Sequence, residues 1–307
     1  MKIIVTGGSG FLGRHLCRAL VEQGHELKII DLKENPEFPT TIADVRNRSL
    51  MLKEINQADL VFHLASLIEA GESVIDPQKY VDYNISATVN VLEAMKENKI
   101  ETFIFSSSAA IYGEPQRTPI KEDDRTLPIN PYGMTKLAME GLLSSYVKSF
   151  NMTGIALRYF NLYGPEEHHQ PESHAIPRFI EQIYHGKEVT FWGDGLYQRD
   201  FVHIRDIVSA HLKAIDLAKR KPKEYHYMNL SAEAPATVKQ VAEIIGRIMG
   251  KEPNIKYFPE RPGDPRVLIA DASKARRELG WQATVGLEKG LEETVNYFMD
   301  IWSGHSR

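Results

Sequence analysis

The stretch Thr6-Gly7-Gly8-Ser9-Gly10-Phe11-Leu12-Gly13 follows a short apolar run and opens a helical pattern over Phe11–Gln23. Three of its glycines are spaced by three residues. Gly7 permits a tight turn, Gly10 lets a pyrophosphate approach the backbone, and Gly13 lets the helix pack closely. The N–H groups at the start of such a helix bind phosphate. The stretch therefore predicts a strand–loop–helix unit that binds a dinucleotide.

An acidic residue at the end of the second predicted strand supports this interpretation. Leu27–Asp31 is β-rich, and Asp31 lies 18 residues after Gly13. A carboxylate at that point binds the adenosine ribose hydroxyls and repels a 2′-phosphate. We therefore expect NAD rather than NADP as the cofactor.

The first half of the chain alternates short β-rich runs with longer helical patterns. Strands that alternate with helices predict a parallel sheet with right-handed crossovers. The fold class is therefore α/β, with a doubly wound parallel-sheet Rossmann domain over residues 1–165. The predicted strands are Lys2–Thr6, Leu27–Asp31, Leu60–Leu64, Thr102–Ser106 and Thr153–Arg158, and the later helices are Asp76–Asn98 and Tyr132–Phe150.

The pattern changes after about Asn161, where loops rich in Pro, Gly and His appear. Helices are predicted at Ile176–His185, Ile204–Ala218 and Val238–Met249. We expect residues 166–307 to form a smaller mixed α/β C-terminal domain that binds the substrate. The segment near 200–230 is expected to return to the first domain.

Composition excludes several classes of function. The 307 residues carry a net charge of −4, so no global field recruits nucleic acid or an anionic membrane. The apolar run at the N-terminus is too short for a signal peptide or a membrane span. Cys17 is the single cysteine, so neither an internal disulfide nor a cysteine metal cluster is possible. No metal site is expected, and a cytoplasmic location fits.

Tyr132 and Lys136 are the candidate catalytic pair. Their spacing of four places both side chains on one helix face, and Pro131 can start that helix. A neighbouring ammonium and a positive nicotinamide favour the phenolate, so Tyr132 could act as a base. Ser106 and Ser108 lie at the end of a predicted strand, where α/β sheets place active sites.

Together these residues resemble the extended short-chain dehydrogenase/reductase family, and within it the UDP-galactose (UDP-glucose) 4-epimerases. The resemblance covers nearly the whole chain. Besides the motifs above, it is carried by Asp44-Val45-Arg46, His63-Leu64-Ala65-Ser66, Gly71-Glu72-Ser73-Val74, Phe105–Gly113, Leu157-Arg158-Tyr159-Phe160-Asn161, Arg199-Asp200-Phe201-Val202-His203 and Arg261-Pro262-Gly263-Asp264.

The resemblance implies a role for each matching residue. Ser108, Tyr132 and Lys136 would be catalytic, and the last two would also contact NAD. Other cofactor contacts would come from Gly7, Gly10, Phe11, Leu12, Gly13, Asp31, Leu32, Asp44, Val45, Leu64, Ala65, Ser66, Ser106 and Phe160. Tyr83 stands where relatives often carry a small polar cofactor contact. The nucleotide sugar would be held by Ser108, Asn161, Arg199, Arg261 and Asp264, and Phe191 is expected to border the uracil pocket.

The implied activity is NAD-dependent 4-epimerisation of a nucleotide sugar, most readily UDP-glucose and UDP-galactose, with N-acetyl and uronic sugars as alternatives. Relatives that dehydrate sugars carry Asp-Glu where this chain has Ala109-Ala110, which argues against dehydration. A reductase with net cofactor turnover and a non-catalytic NAD-binding protein are the rival interpretations. By analogy with relatives, the helices Asp76–Asn98 and Tyr132–Phe150 would pair two copies into a homodimer.

Overall fold

The computed structural model describes residues 1–168, 174–260 and 265–304. Its strands are β1 (Lys2–Thr6), β2 (Glu26–Asp31), β3 (Thr40–Ile42), β4 (Leu60–His63), β5 (Thr102–Ser108), β6 (Thr153–Tyr159), β7 (Asn161–Tyr163), β8 (Val189–Trp192), β9 (Gln198–Arg199), β10 (Phe201–His203), β11 (Tyr225–Leu230), β12 (Ala236–Thr237), β13 (Ile255–Phe258) and β14 (Val267–Leu268). Its α-helices are α1 (Phe11–Glu22), α2 (Arg48–Glu54), α3 (Ala70–Ile75), α4 (Pro77–Tyr80), α5 (Ala87–Glu97), α6 (Pro131–Phe150), α7 (Ala175–Tyr184), α8 (Ile204–Arg220), α9 (Val238–Met249), α10 (Ser273–Leu279) and α11 (Leu287–Trp302).

Seven parallel strands form the central sheet, in the order β11–β6–β5–β4–β1–β2–β3. Strands such as β4 are buried along their whole length, because helices cover both faces of the sheet. The sheet extends in opposite directions from β1 and from β4, so a crevice opens beyond the carboxyl ends of these two strands. The predicted doubly wound α/β fold is confirmed.

Helices pack in two layers around the sheet, and each layer has its own apolar core. On one face, α1, α8 and α10 pack over side chains such as Ile104, Ile155 and Leu157. On the other face, α2, α5 and α6 pack over Phe103 and Phe105. Alternate residues of β5 therefore serve opposite layers, as the two-residue repeat of a strand requires.

A third apolar core lies beyond the sheet. It joins α7, α9 and α11 to β8, with Phe179, Phe191 and Phe298 among its buried rings. β13 pairs with β8, and β9 lies between β12 and β14 in a small mixed sheet. The chain returns to the central sheet through β11, which pairs with β6. The domain division at residue 165 stays a prediction.

The helix predicted over Asp76–Asn98 is interrupted. Asp76 caps the short α4, a π-helical segment follows at Val81–Ser86, and α5 begins only at Ala87. The buried Asn84 side chain accepts a hydrogen bond from Leu67 N at 2.8 Å and donates to Leu67 O at 3.1 Å. A wide turn of this kind often marks a functional site, and here it ties the helix to the loop after β4.

None of the helices in the described ranges is long and apolar enough to cross a membrane.

Candidate active site

The glycine loop between β1 and α1 lies against the loop that follows β4. Gly7 has φ +77°, and a Cβ there would lie 2.6 Å from Ala65 N, so the turn requires glycine. A Cβ at Gly13 would collide with the Gly7 carbonyl oxygen, so Gly13 packs the helix against the loop itself. A Cβ at Gly10 would meet only Gly7 O, at 3.4 Å. Protein packing therefore leaves room at Gly10, as the approach of a phosphate requires.

Asp31 faces this loop from the end of β2. Its carboxylate accepts hydrogen bonds from Ser9 N at 2.9 Å and from Lys33 N at 3.1 Å. The neighbouring Leu32 is exposed beyond the strand. The predicted ribose-binding acid therefore lies at the glycine loop, where it holds the loop backbone.

The predicted adenine contacts, Asp44 and Val45, lie in the loop between β3 and α2. Arg46 pairs with the Asp44 carboxylate, which lowers the pKa of Asp44, and Asn90 holds the Val45 carbonyl at 3.2 Å. The Arg46 guanidinium also stacks 3.7 Å from the centre of the Tyr83 ring. Tyr83 thus packs on this cation, a contact that the sequence did not suggest.

Lys136 joins two of the predicted cofactor-binding segments. The ammonium donates to Ser66 Oγ and to the backbone oxygen of Ser106, each at 2.8 Å. Ser66 follows β4 and Ser106 lies near the end of β5, so the side chain spans two adjacent strand ends. Lys136 is buried, and an ammonium in this place needs these acceptors.

Tyr132 begins the same helix face one turn earlier. α6 starts at Pro131, one residue before the predicted start, and Asn130 caps it by accepting from Gly133 N at 2.9 Å. Ser73 Oγ accepts from Tyr132 N at 3.1 Å, and the Ser108 hydroxyl lies close enough to the phenol to lower its pKa. Three elements thus converge on the predicted base.

Burial dominates the pKa values of both members of this pair, and the phenolate expected beside a bound nicotinamide stays a prediction. Burial raises the pKa of Tyr132 to about 12, although the nearby Ser108 hydroxyl opposes the change. Burial also lowers the pKa of Lys136 to about 7. The Lys136 ammonium lies 5.9 Å from the centre of the Tyr132 ring and is turned to the two serines. Desolvation therefore outweighs the expected effect of the cation.

The predicted substrate residues are spread over several segments. Asn161 follows β6, and its Oδ1 is buried without a hydrogen-bond partner in the described part of the chain. A buried acceptor of this kind calls for a donor from a ligand. Arg199 is buried on β9 and donates to Gln198 O at 2.9 Å. Arg261 and Asp264 lie outside the described residues.

Two aromatic side chains that are predicted to contact ligands, Phe160 and Phe191, are buried. Phe160 is buried beside Tyr112, with ring centres 6.5 Å apart. Phe191 is almost wholly enclosed in the third core, 5.3 Å from the Phe179 ring centre. The Phe191 ring thus packs within the third core, and its place at the border of a uracil pocket stays a prediction.

A buried ion pair next to β5, between Glu140 and Arg158, was not predicted from the sequence. Glu140, one helical turn beyond Lys136, accepts from Ser107 Oγ at 2.5 Å and pairs with Arg158 at 2.7 Å. The continued four-residue spacing Tyr132–Lys136–Glu140 was the available signal. No role was predicted for Arg158, although it lies in the motif Leu157-Arg158-Tyr159-Phe160-Asn161.

His63 also has a structural position. The ring is buried and hydrogen-bonds Thr6 Oγ1 at 2.8 Å and Thr88 Oγ1 at 3.0 Å. Burial lowers its pKa to about 3, so the ring is neutral. It joins β1 to α5 rather than facing the crevice.

Comparisons with known proteins agree with this geometry. The family described as "NAD dependent epimerase/dehydratase family" matches residues 3–229. The UDP-glucose 4-epimerase of Halalkalibacterium halodurans is 34% identical, over 100% of this chain and 98% of that protein. The structure of the Thermotoga maritima UDP-glucose 4-epimerase with UDP-glucose superposes with a TM-score of 0.92, at 33% identity, covering 98% of this chain and 100% of that one.

A third similar protein is named for a different sugar. The Bacillus cereus UDP-glucuronic acid 4-epimerase, solved with NAD and a fluorinated UDP-glucuronic acid, has a TM-score of 0.91. Its identity is 32%, over 98% of this chain and 100% of that chain. The family match covers most of the described sheet and the whole glycine loop, and the chain therefore belongs to the NAD-dependent epimerase/dehydratase family.

Proposed function

We propose that this protein is an NAD-dependent epimerase that interconverts UDP-glucose and UDP-galactose by inverting C4 of the hexose. The observation that carries the proposal is the convergence of Tyr132, Ser108 and Lys136 at the carboxyl ends of β4 and β5. Relatives of this name match over the full chain.

The cofactor would lie across the crevice between β1 and β4. The room at Gly10 suits the pyrophosphate, and Asp31 suits the adenosine ribose. Lys136 has three N–H donors, two of which bind Ser66 and Ser106, so the third can hold the nicotinamide ribose. When bound, NAD accepts a hydride from the sugar and returns it, and its positive ring favours an ionised Tyr132.

The proton step belongs to Tyr132. Its phenolate oxygen takes the proton from the C4 hydroxyl as the hydride leaves the same carbon, and a 4-keto sugar results. The Ser108 hydroxyl, which lies near the phenol, can also hold the reacting oxygen. After the hexose turns, the hydride would return to the opposite face of C4 and Tyr132 would return the proton to the 4-oxygen, so no cofactor would be consumed.

The nucleotide diphosphate would stay anchored while the hexose turns. Asn161 offers a buried acceptor, and Arg199 offers a planar cation that suits phosphate oxygens. Arg261 and Asp264 are proposed for the same anchor from their positions in the family motif.

We also propose a homodimer. Several large apolar side chains are exposed around α3, the π-helical segment and the start of α6, namely Val74, Ile75, Val81 and Met134. An apolar patch of this kind, beside the helices expected to pair, is typical of a protein–protein interface.

The test is an incubation of purified protein with single nucleotide sugars and no added cofactor. UDP-glucose and UDP-galactose should interconvert, and N-acetyl and uronic sugars belong in the same panel. Stoichiometric formation of NADH or NADPH would instead indicate a net oxidoreductase. If no sugar is inverted although NAD is bound, the non-catalytic alternative is correct.

A further inference from the structure

A buried chain of hydrogen bonds runs from the active-site strand into α8. Ser106 Oγ lies 2.8 Å from Tyr159 Oη, and Tyr159 Oη lies 2.6 Å from His211 Nε2. His211 Nδ1 lies 2.8 Å from the backbone oxygen of Ile207. The chain joins β5, β6 and α8 on one face of the sheet. None of the roles assigned above uses Tyr159 or His211.

The donor and the acceptor of each hydrogen bond in this chain can be assigned by starting from the Ile207 carbonyl. The Ile207 carbonyl can only accept, so His211 Nδ1 carries a proton. Burial lowers the pKa of His211 to about 4, so the ring is neutral and Nε2 is an acceptor. Tyr159 must therefore donate its single proton to His211.

The Ser106 hydroxyl is likewise held in one orientation. Because the Tyr159 proton is used, the Tyr159 oxygen accepts, and Ser106 donates its own proton to it. The Ser106 oxygen then has only lone pairs left to offer in other directions. A neutral serine hydroxyl normally rotates to donate or accept, and here it is held as an acceptor.

Ser106 lies next to the proposed catalytic residues Lys136 and Tyr132. Its backbone oxygen binds Lys136 Nζ at 2.8 Å, and the Tyr159 hydroxyl lies near the Tyr132 phenol. Ser106 is also one of the residues expected to contact the cofactor. The fixed acceptor therefore lies at the nicotinamide end of the proposed cofactor site.

We propose that His211 and Tyr159 are positioning residues that hold Ser106 Oγ as a hydrogen-bond acceptor for the carboxamide NH₂ group of the nicotinamide. The inference rests on the proposed function, since it requires NAD in the crevice. A ribose hydroxyl can donate or accept and so needs no fixed partner. An amide NH₂ can only donate, and it loses its bond if the serine turns its own proton outward.

The test compares two ligands and three variants. ADP-ribose contains every part of NAD except the nicotinamide, so it reports the rest of the site. His211→Leu removes the acceptor for Tyr159, whose proton then turns to Ser106. Tyr159→Phe removes the acceptor for Ser106. His211→Gln is the matched control, because its amide oxygen can still accept from Tyr159.

Affinities for both ligands are measured by titration calorimetry on protein freed of bound dinucleotide, together with the melting temperature of each variant. His211→Leu and Tyr159→Phe should weaken NAD roughly ten- to hundredfold, the effect of one hydrogen bond replaced by two opposed donors. ADP-ribose affinity should change less than about twofold, and His211→Gln should keep most of the NAD affinity.

The ratio of the two affinities separates positioning from simple support of the fold. Equal weakening of NAD and ADP-ribose, or unchanged NAD affinity in both variants, would overturn the inference. Wild-type protein that binds NAD but inverts no sugar would contradict the proposed function and leave the inference intact. Wild-type protein that binds no NAD would overturn both.

Discussion

Arg158 and Glu140 form two parallel hydrogen bonds, from Nε to Oε1 at 3.0 Å and from Nη2 to Oε2 at 2.7 Å. Both side chains are almost fully buried. The pair joins β6 to α6 directly under Ser107, whose neighbours Ser106 and Ser108 point to the opposite face of the sheet. The ion pair thus supports β5 on the face of the sheet opposite to Ser106 and Ser108.

Breaking this ion pair should destabilise the fold strongly. Glu140→Ala leaves a buried guanidinium without its charge partner, and we expect a loss of about 3–5 kcal/mol in the free energy of unfolding. Glu188→Ala, which breaks the exposed pair with Lys256, should cost about 0–1 kcal/mol. Chemical denaturation measures both. A loss for Glu140→Ala no larger than for Glu188→Ala would show that the buried pair does not stabilise the fold.

Removing the Tyr132 hydroxyl should abolish most of the activity without unfolding the protein. General base catalysis contributes about 10²–10⁴-fold, so Tyr132→Phe should lower kcat by at least about a hundredfold. Tyr146→Phe is the control, because Tyr146 lies on the same helix and donates only to Glu93. Epimerase assays with melting curves check both variants. A loss of less than tenfold for Tyr132→Phe would rule out Tyr132 as the base.

The charge of Asp31 should set the preference between NAD and NADP. Asp31→Asn can still accept from Ser9 N but no longer repels a 2′-phosphate, so the ratio of NADP to NAD affinity should rise about tenfold or more. Glu34→Gln removes an exposed charge nearby and should leave the ratio unchanged. Binding titrations with both dinucleotides decide; equal ratios in the two variants would mean that Asp31 does not select the cofactor.

Acid should destabilise the protein through its buried histidines. Burial lowers the pKa of His63 to about 3 and those of His203 and His211 to about 4. The unfolded chain binds protons on these rings near pH 6.5, whereas the folded chain does not. Stability is therefore complete above that pH and falls below it, by about 2–3 kcal/mol per ring near pH 4.5.

The histidine prediction is checked by urea unfolding between pH 7.5 and 4.5. His211→Gln should lose about 2–3 kcal/mol less over this range than the wild type, since it lacks one of the three rings. An identical decline in both proteins would show that His211 does not contribute.

A charge in the apolar patch should prevent dimer formation. Ile75 is 86% exposed, and Ile75→Glu should shift the protein to the monomer by at least about tenfold in dissociation constant. Ile42→Glu, at a 54% exposed position on the edge strand β3, is the control. Sedimentation at several concentrations measures the shift. A wild-type monomer, or equal effects of the two substitutions, would contradict the assignment of the interface.

Local sequence signals predicted the elements whose ends are fixed by neighbouring residues. The predicted helix Val238–Met249 matches α9, because Thr237 and Gln240 form a capping box and Gly250 ends the helix with φ +65°. The strand Lys2–Thr6 and the start of α1 are likewise predicted correctly, because the glycine spacing fixes both.

Long-range contacts decided what the local pattern could not. The predicted helix over Asp76–Asn98 is broken where Asn84 bonds Leu67, 17 residues away. Hydrophobic spacing carries no signal for such a contact, because it reports only which face of a helix is apolar.

The sequence by itself determined the fold class, the glycine loop with Asp31, and the placing of Tyr132 and Lys136 on one helix face. These features depend on spacing along a few turns of chain. Tertiary structure alone decided the direction in which the pKa values of Tyr132 and Lys136 are shifted, because both shifts follow from burial that distant segments create. Tertiary structure also decided which residues support the site. Ser106, Tyr159 and His211 are joined by hydrogen bonds, but they come from two strands and a helix that meet only when the sheet is assembled.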